Sequence, residues 1–504
     1  MPEFVTAEEA VGHIKDGSFI GVNAFLALAN PLELLTALAD RYEQTGSPHD
    51  LTMYCSSGFG NWEENSGCER IVTNGGTSRL MISHFPTMPG SEKAVLENKV
   101  AGYNFPLGAL SHMMREAARG SDYYITKSGL NLFVDPRIGG SKLNDLATED
   151  WVEDIEIDGQ RYLKYRVPKF DVALLKASSC DRFGNITMEK ESCVVDALSL
   201  AQATKRNGGI VIVQVERIVE KRRPWESIVP MALVDYIVLC PEQTPVLGVD
   251  DYNPSFCGDR FMTAEEITEY VLTNKPTKVS PVRTRVAKRA VEELEPGMVV
   301  NIGIGIPEGV SIEAAKKGLL SRVTMTVEDG AFGGMPTTGA AFGSAVGAHS
   351  ICSTAQMFDF YDGGGLDICF LGALEVDKAG NVNAHFSPGK LAGIGGFANI
   401  TQTTRKVVFC FSFTAGGLEI EDHYGVTSIK TEGKIPKLVD QVAAISFSAQ
   451  NAHDNGQEVL YVTERCVFRL GAEGLELVEV YDGIDVQKDV LDVLPFDIPL
   501  VQQL

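Results

Sequence analysis

The residues best suited to chemistry lie between Arg322 and Pro336, R-V-T-M-T-V-E-D-G-A-F-G-G-M-P. Val323 to Val327 alternates apolar and Thr positions and predicts a short strand. That strand delivers Glu328 into a turn made of Asp329, Gly330, Gly333 and Gly334. Residues that free the backbone this close to a carboxylate let main chain approach whatever the carboxylate touches. Open α/β proteins keep their chemistry at the carboxyl ends of strands, where Glu328 would sit. Taken alone, the stretch is equally consistent with an acidic residue that only caps a turn.

A second glycine-rich run follows Phe386-Ser387-Pro388-Gly389: Gly393-Ile394-Gly395-Gly396-Phe397-Ala398-Asn399-Ile400. Three glycines in four positions before a helix-like stretch suit a nest of backbone N–H groups for an oxyanion or phosphate, or a tight strand-to-helix turn. Asp359 to Gly365 reads as another sharp turn, of architectural character. Gly303-Ile304-Gly305 fails as a dinucleotide fingerprint, because the third glycine would fall on Glu308 and Pro307 interrupts.

The elements that must position these residues occur twice. Thr6 to Ile14 predicts an amphipathic helix, Gly17 a turn and Ser18 to Val22 a strand. A loop from Asn23 to Asn30 follows, then a helix begun at Asn30-Pro31 with Gly46 past its end. In the second half Val286 to Leu294 predicts a helix, Pro296-Gly297 a turn and Met298 to Ile302 a strand. Gly303 to Pro307 then leads to a helix around Val310 to Lys317. Leu51 to Gly58 aligns with Val323 to Gly330, placing Thr52 against Thr324. The segment from Asp171 aligns with that from Asp367 through Asp181/Asp377, Gly184/Gly380 and Asn185/Asn381. The offset differs between these alignments, so the first half carries an insertion, about 75–165. The expected organisation is α/β, with two tandem related open α/β domains at 1–275 and 282–504 and the active site between them. The joint is the proline-containing stretch Thr273 to Pro281. After a polar turn from Lys430 to Lys434, two β-rich runs, Val459 to Val462 and Cys466 to Leu470, meet at Thr463-Glu464-Arg465.

Where the copies diverge, Ser56 stands opposite Glu328, so one copy alone carries a carboxylate at that strand end. This suits an asymmetric site with a single nucleophile. The chain is 504 residues long, enough for two substantial cores. Its formal charge of -23 argues against a nucleic-acid partner, which needs clustered cations. No apolar run approaches a membrane span, and the N-terminus lacks a basic secretory region, so no membrane association is expected. Ten cysteines without CxxC pairs fit buried free thiols in the cytoplasm, with Cys55, Cys240, Cys369 and Cys410 in strand-like runs. The eight histidines show no HxxxH spacing, so no metal site is expected.

V-E-D-G-A-F-G-G, D-F-Y-D-G-G-G-L-D, G-N-V-N and G-I-G-G-F-A-N-I together resemble the family I coenzyme A transferases, above all the single-chain bacterial acetate/propionate type. The first half agrees through E-N-K-V-A-G-Y-N-F-P-L-G, D-P-R-I-G-G and D-R-F-G-N-I-T-M-E-K-E, and the tail through V-L-Y-V-T-E-R-C-V-F-R-L. The resemblance implies transfer of coenzyme A between a short-chain acyl-CoA and a free carboxylic acid. It makes Glu328 the residue that forms a glutamyl-CoA thioester, with Gly395 and Gly396, and the neighbouring Gly393, in the loop that holds the thioester oxygen. Family members commonly carry glycines after the first strand; Asn23 and Ala24 stand there instead, which bears on the acyl pocket and the preferred acid. No cofactor is implied, coenzyme A being substrate and transient covalent adduct. A homo-oligomer is expected. Lys390, Lys430, Lys434 and Arg405 are candidate cations for the phosphates of coenzyme A. An acyl-CoA hydrolase using the same glutamate, or a non-catalytic acyl-CoA-binding protein, remain alternatives on the residues alone.

Overall fold

The computed structural model describes residues 1–64, 66–220, 223–249, 252–274 and 280–500. The chain forms two compact units that are discontinuous in sequence. The first comprises Met1–Phe261, Val327–Asp359 and Pro388–Gly396; the second comprises Met262–Thr326, Phe360–Ser387 and Phe397–Leu504. Most of the joint between the sequence halves, residues 275–279, lies outside the described residues.

The first unit is built on a parallel sheet in the order Glu3–Val5, Tyr236–Leu239, Ile210–Val219, Val172–Asp181, Phe19–Val22, Leu51–Tyr54, Thr77–Ile82, Ala101–Asn104. All ten residues of Val172–Asp181 are buried, as a central strand covered on both faces requires. Leu32–Thr45 ends as the sequence predicts, with Gly46 in the left-handed conformation at φ 74°. Within the insertion, Tyr123–Thr126, Gln160–Arg166 and Val152–Ile157 make a separate antiparallel sheet.

In the second unit the strands Thr324–Thr326, Val299–Ile302, Ile368–Leu371, Lys406–Cys410 and Glu458–Val462 run parallel. The antiparallel strands Cys466–Gly471 and Gly474–Val480 complete the edge.

The internal repeat is exact in register. Ile20 pairs with Met53 on one side and Val172 on the other. Val300 pairs correspondingly with Met325 and Ile368. Asp171 takes the N–H of Phe19 on Oδ2 at 2.9 Å, and Asp367 takes that of Val299 at 2.9 Å. Asp181 and Asp377 each accept the N–H four residues on, from Asn185 at 3.0 Å and Asn381 at 2.9 Å. Each aspartate thus satisfies backbone donors that its strand end leaves unpaired.

Four local expectations change. The first helix is only Ala7–Val11, closed at its start by a reciprocal Thr6–Glu9 cap. The helix expected from Val286 begins at Pro281 with Ser280 as its cap, so the end of the joint is a helix start. Asp359 to Asp362 close the helix Thr354–Asp362, and the turn begins at Gly363. Lys430 belongs to the strand Val426–Thr431, paired with Glu419–His423.

Candidate active site

Glu328 lies in the first unit, in a turn closed by Gly330 N–H to Val327 O at 3.0 Å and Val327 N–H to Ala331 O at 2.9 Å. Gly330 has φ 122°, and a Cβ there would stand 1.9 Å from the carbonyl oxygen of Cys352, so this turn admits only glycine. Val327, Ala331 and Ala345 form a small apolar cluster beneath it.

Asp329 is fully buried. Its Oδ1 accepts the Ala331 N–H at 3.3 Å, and Oδ2 has no partner among the described residues. Burial drives its pKa well above the usual carboxylate range, with the Glu328 charge adding to the rise and the Ala331 N–H opposing it. Glu328 itself is pushed up to about 7 by burial, opposed by a hydrogen bond from the Gly396 N–H. Desolvation outweighs the single backbone donor.

Gly393, Gly395 and Gly396 come to this carboxylate unequally. A Cβ on Gly396 would meet Glu328 Oε2 at 2.5 Å, so the main chain packs directly on the nucleophile candidate. Gly393 has φ 76° and abuts the Ser83 carbonyl, 2.3 Å from where its Cβ would be. Gly395 has φ 52°, and its N–H donates to Ser83 O at 2.9 Å. The expected pair of free donors is therefore a single donor, Gly396, because Gly395 uses its N–H to anchor the loop.

Ser56, the first-copy counterpart of Glu328, donates from Oγ to the buried Asp196 at 2.9 Å, and its carbonyl accepts the Ser83 hydroxyl at 2.7 Å. Asn23 accepts the Asp196 N–H at 2.9 Å. Leu26 and Ala29 adopt positive φ, so this loop reaches its left-handed turns without glycine. Ser83 escaped the sequence reading, having no motif of its own.

Of the candidate cations, Lys390 and Lys434 are exposed, and Lys430 pairs with Glu421 at 2.9 Å. Arg405 pairs with Asp367 at 3.5 Å, at the amino end of its parallel strands, where open α/β sheets do not place their ligands. Lys437, passed over in sequence, is driven down to about 8 by burial, with Glu464 opposing. The joint Thr463-Glu464-Arg465 is fully buried: Glu464 accepts the Phe413 N–H at 2.8 Å and the Arg465 Nε at 2.7 Å.

The family model for coenzyme A transferases matches residues 4–239 and 283–413. The caffeate CoA-transferase of Acetobacterium woodii is 40% identical over 505 residues, covering 98% of this chain and 94% of that protein. The acetate CoA-transferase YdiF of Escherichia coli (strain K12) is 37% identical over 495 residues, covering 98% and 92%. The crystal structure of the acyl-CoA transferase YdiF of E. coli O157:H7, in a thioester complex with CoA, superposes with a TM-score of 0.91. It is 35% identical and the match covers 100% of this chain and 94% of that one. The chain belongs to the coenzyme A transferase family. It is a CoA-transferase with the mixed α/β, two-domain layout of that fold.

Proposed function

We propose that this transferase moves coenzyme A between a short-chain acyl-CoA and a free carboxylic acid, with Glu328 carrying coenzyme A between the two. The Gly396 N–H placed on the Glu328 carboxylate supports this reading above all. A carboxylate oxygen of Glu328 adds to the acyl-CoA carbonyl, and the tetrahedral oxyanion collapses to expel the CoA thiolate and leave a mixed anhydride. The thiolate then adds to the Glu328 carbonyl and expels the acyl group as a free carboxylate, leaving the glutamyl-CoA thioester. A second acid reverses both steps. Each step passes through an oxyanion beside a preorganised N–H. A pKa of about 7 leaves a large share of Glu328 ionised near neutrality while making it a more basic nucleophile than an exposed glutamate.

Coenzyme A serves as substrate and transient adduct, with no further cofactor in the scheme. The duplicated halves 1–275 and 282–504 supply the site from both ends of the sequence, since Glu328 and the 393–396 loop pack in one unit with Ser56 and Ser83. A cytoplasmic homo-oligomer accords with ten unbonded cysteines for the location; among the described residues no helix is long and apolar enough to cross a membrane. The relatives named above act on acids as different as acetate and caffeate, so acetyl-CoA is to be paired with a panel of both kinds. Accepted acids should give parallel double-reciprocal lines, because the first acid leaves before the second enters. Intersecting lines would contradict a free covalent enzyme.

A further inference from the structure

The segment Glu97 to Gly108 contributes nothing to the chemistry above, yet it meets the glycine loop at two points. Asn104 closes the strand Ala101–Asn104 and is 1% exposed. Its Nδ2 donates to Ile82 O at 2.9 Å and to Ser83 O at 3.0 Å, while Oδ1 accepts the Ile394 N–H at 3.1 Å. Both donors and the acceptor of the side-chain amide are thus spent on main chain. Ser83 O also receives the Gly395 N–H, so residues 394 and 395 are held by their amides to one small structure.

The second point is Leu107. Its N–H, the first of the helix Leu107–Arg119, has no partner within that helix and donates to Gly395 O at 2.9 Å. The Gly395 carbonyl and the Gly396 N–H belong to one planar trans peptide and point in opposite directions. Fixing the carbonyl on Leu107 therefore turns the N–H toward Glu328. Packing at residue 395 does not set this plane, since nothing lies within 4 Å of where its Cβ would be. Two glycines in succession would otherwise leave the peptide free to rotate.

Resting on Glu328 as the coenzyme A carrier, we propose that Asn104 and the N–H of Leu107 are positioning groups that clamp the Gly395–Gly396 peptide and aim its N–H at Glu328. Neither touches the reacting atoms; both act through the glycine loop.

Leu107→Pro deletes the donor with little other backbone change. Pro106 already sits at φ -55°, ψ 136°, the conformation favoured before proline, and the first helical position accepts proline. Leu107→Ala loses the same buried side chain and keeps the N–H, so comparing the two isolates the hydrogen bond. Leu107→Pro is expected to lower kcat about tenfold or more relative to Leu107→Ala, leave KM for acyl-CoA nearly unchanged, and move the acidic limb of the pH profile upward. Asn104→Ala should move kcat and the limb in the same directions relative to wild type, which a packing defect alone would not do. Equal kcat and equal limbs for Leu107→Pro and Leu107→Ala would overturn the clamp. Should Leu107→Pro fail to fold, wild-type kcat and limb in Asn104→Ala would overturn it. Wild-type enzyme that forms no CoA adduct on Glu328 would instead overturn the carrier assignment, which separates the two failures.

Discussion

The main chain at Gly396 packs on the carboxylate of Glu328, so that a Cβ on residue 396 would stand 2.5 Å from Oε2, and the Gly396 N–H holds the Glu328 pKa down against burial. Residue 395, one position earlier, has open space where its Cβ would be but a φ of 52°. Neighbouring glycines therefore face different constraints, one from the Glu328 carboxylate and one from the backbone.

Gly396→Ala should accordingly lower kcat by about a hundredfold, the scale of losing one oxyanion donor, with little change in Tm. Gly395→Ala should cost about 1 kcal/mol of stability through its left-handed backbone and leave kcat much less affected. Thermal melts and steady-state kinetics on both variants check this; equal rate losses would contradict it.

The raised pKa of Glu328 fixes the pH behaviour. With Glu328 as the proposed nucleophile, activity should fall as pH drops below about 7 and its carboxylate protonates. The same shift acts on stability. A carboxyl whose folded pKa lies above its unfolded value contributes stability below the unfolded pKa and loses it as pH rises through the folded one. Between pH 4.5 and about 7, wild type should lose up to about 3 kcal/mol that Glu328→Gln retains. The difference in Tm between variant and wild type should therefore grow over that window and level off above it.

Ser56→Ala removes a hydroxyl donor from the buried Asp196. Leaving a buried carboxyl short of one partner costs about 1–3 kcal/mol, so Tm should fall. Transfer should persist, because Ser56 reaches the glycine loop through its carbonyl, which the substitution keeps. A rate loss as deep as that of Glu328→Ala would show that the two copies share the chemistry.

Much of the fold was legible because it was written twice. The alignment of Thr52 with Thr324 and of Asp171 with Asp367 anticipates strand registers that depend on the same hydrogen bonds in each copy. The hairpin around Thr463-Glu464-Arg465 was equally readable from its β-rich runs, whereas the burial of all three residues depends on tertiary packing. Local signals misled where two readings shared residues: Asp359 to Asp362 look like a turn beside three glycines, yet they finish a helix. The commitment of the Gly395 amide to Ser83 was invisible, since it joins residues more than three hundred positions apart. Asn104 lay inside a recognisable segment, but nothing in its type distinguishes a clamp from an ordinary buried amide. The grouping of 327–359 and 388–396 with the first unit likewise follows from packing that spacing alone does not encode.

The carrier role of Glu328 is tested most directly by incubating the enzyme with acyl-CoA alone, digesting it and weighing the peptide that contains Glu328. That peptide should gain the mass of coenzyme A, lose it on addition of an acceptor acid, and become resistant to forming it after borohydride reduction of the thioester. Glu328→Ala should bind acyl-CoA and gain nothing. An acyl group on that peptide in place of coenzyme A, or no adduct under conditions that support turnover, would contradict Glu328 as the carrier.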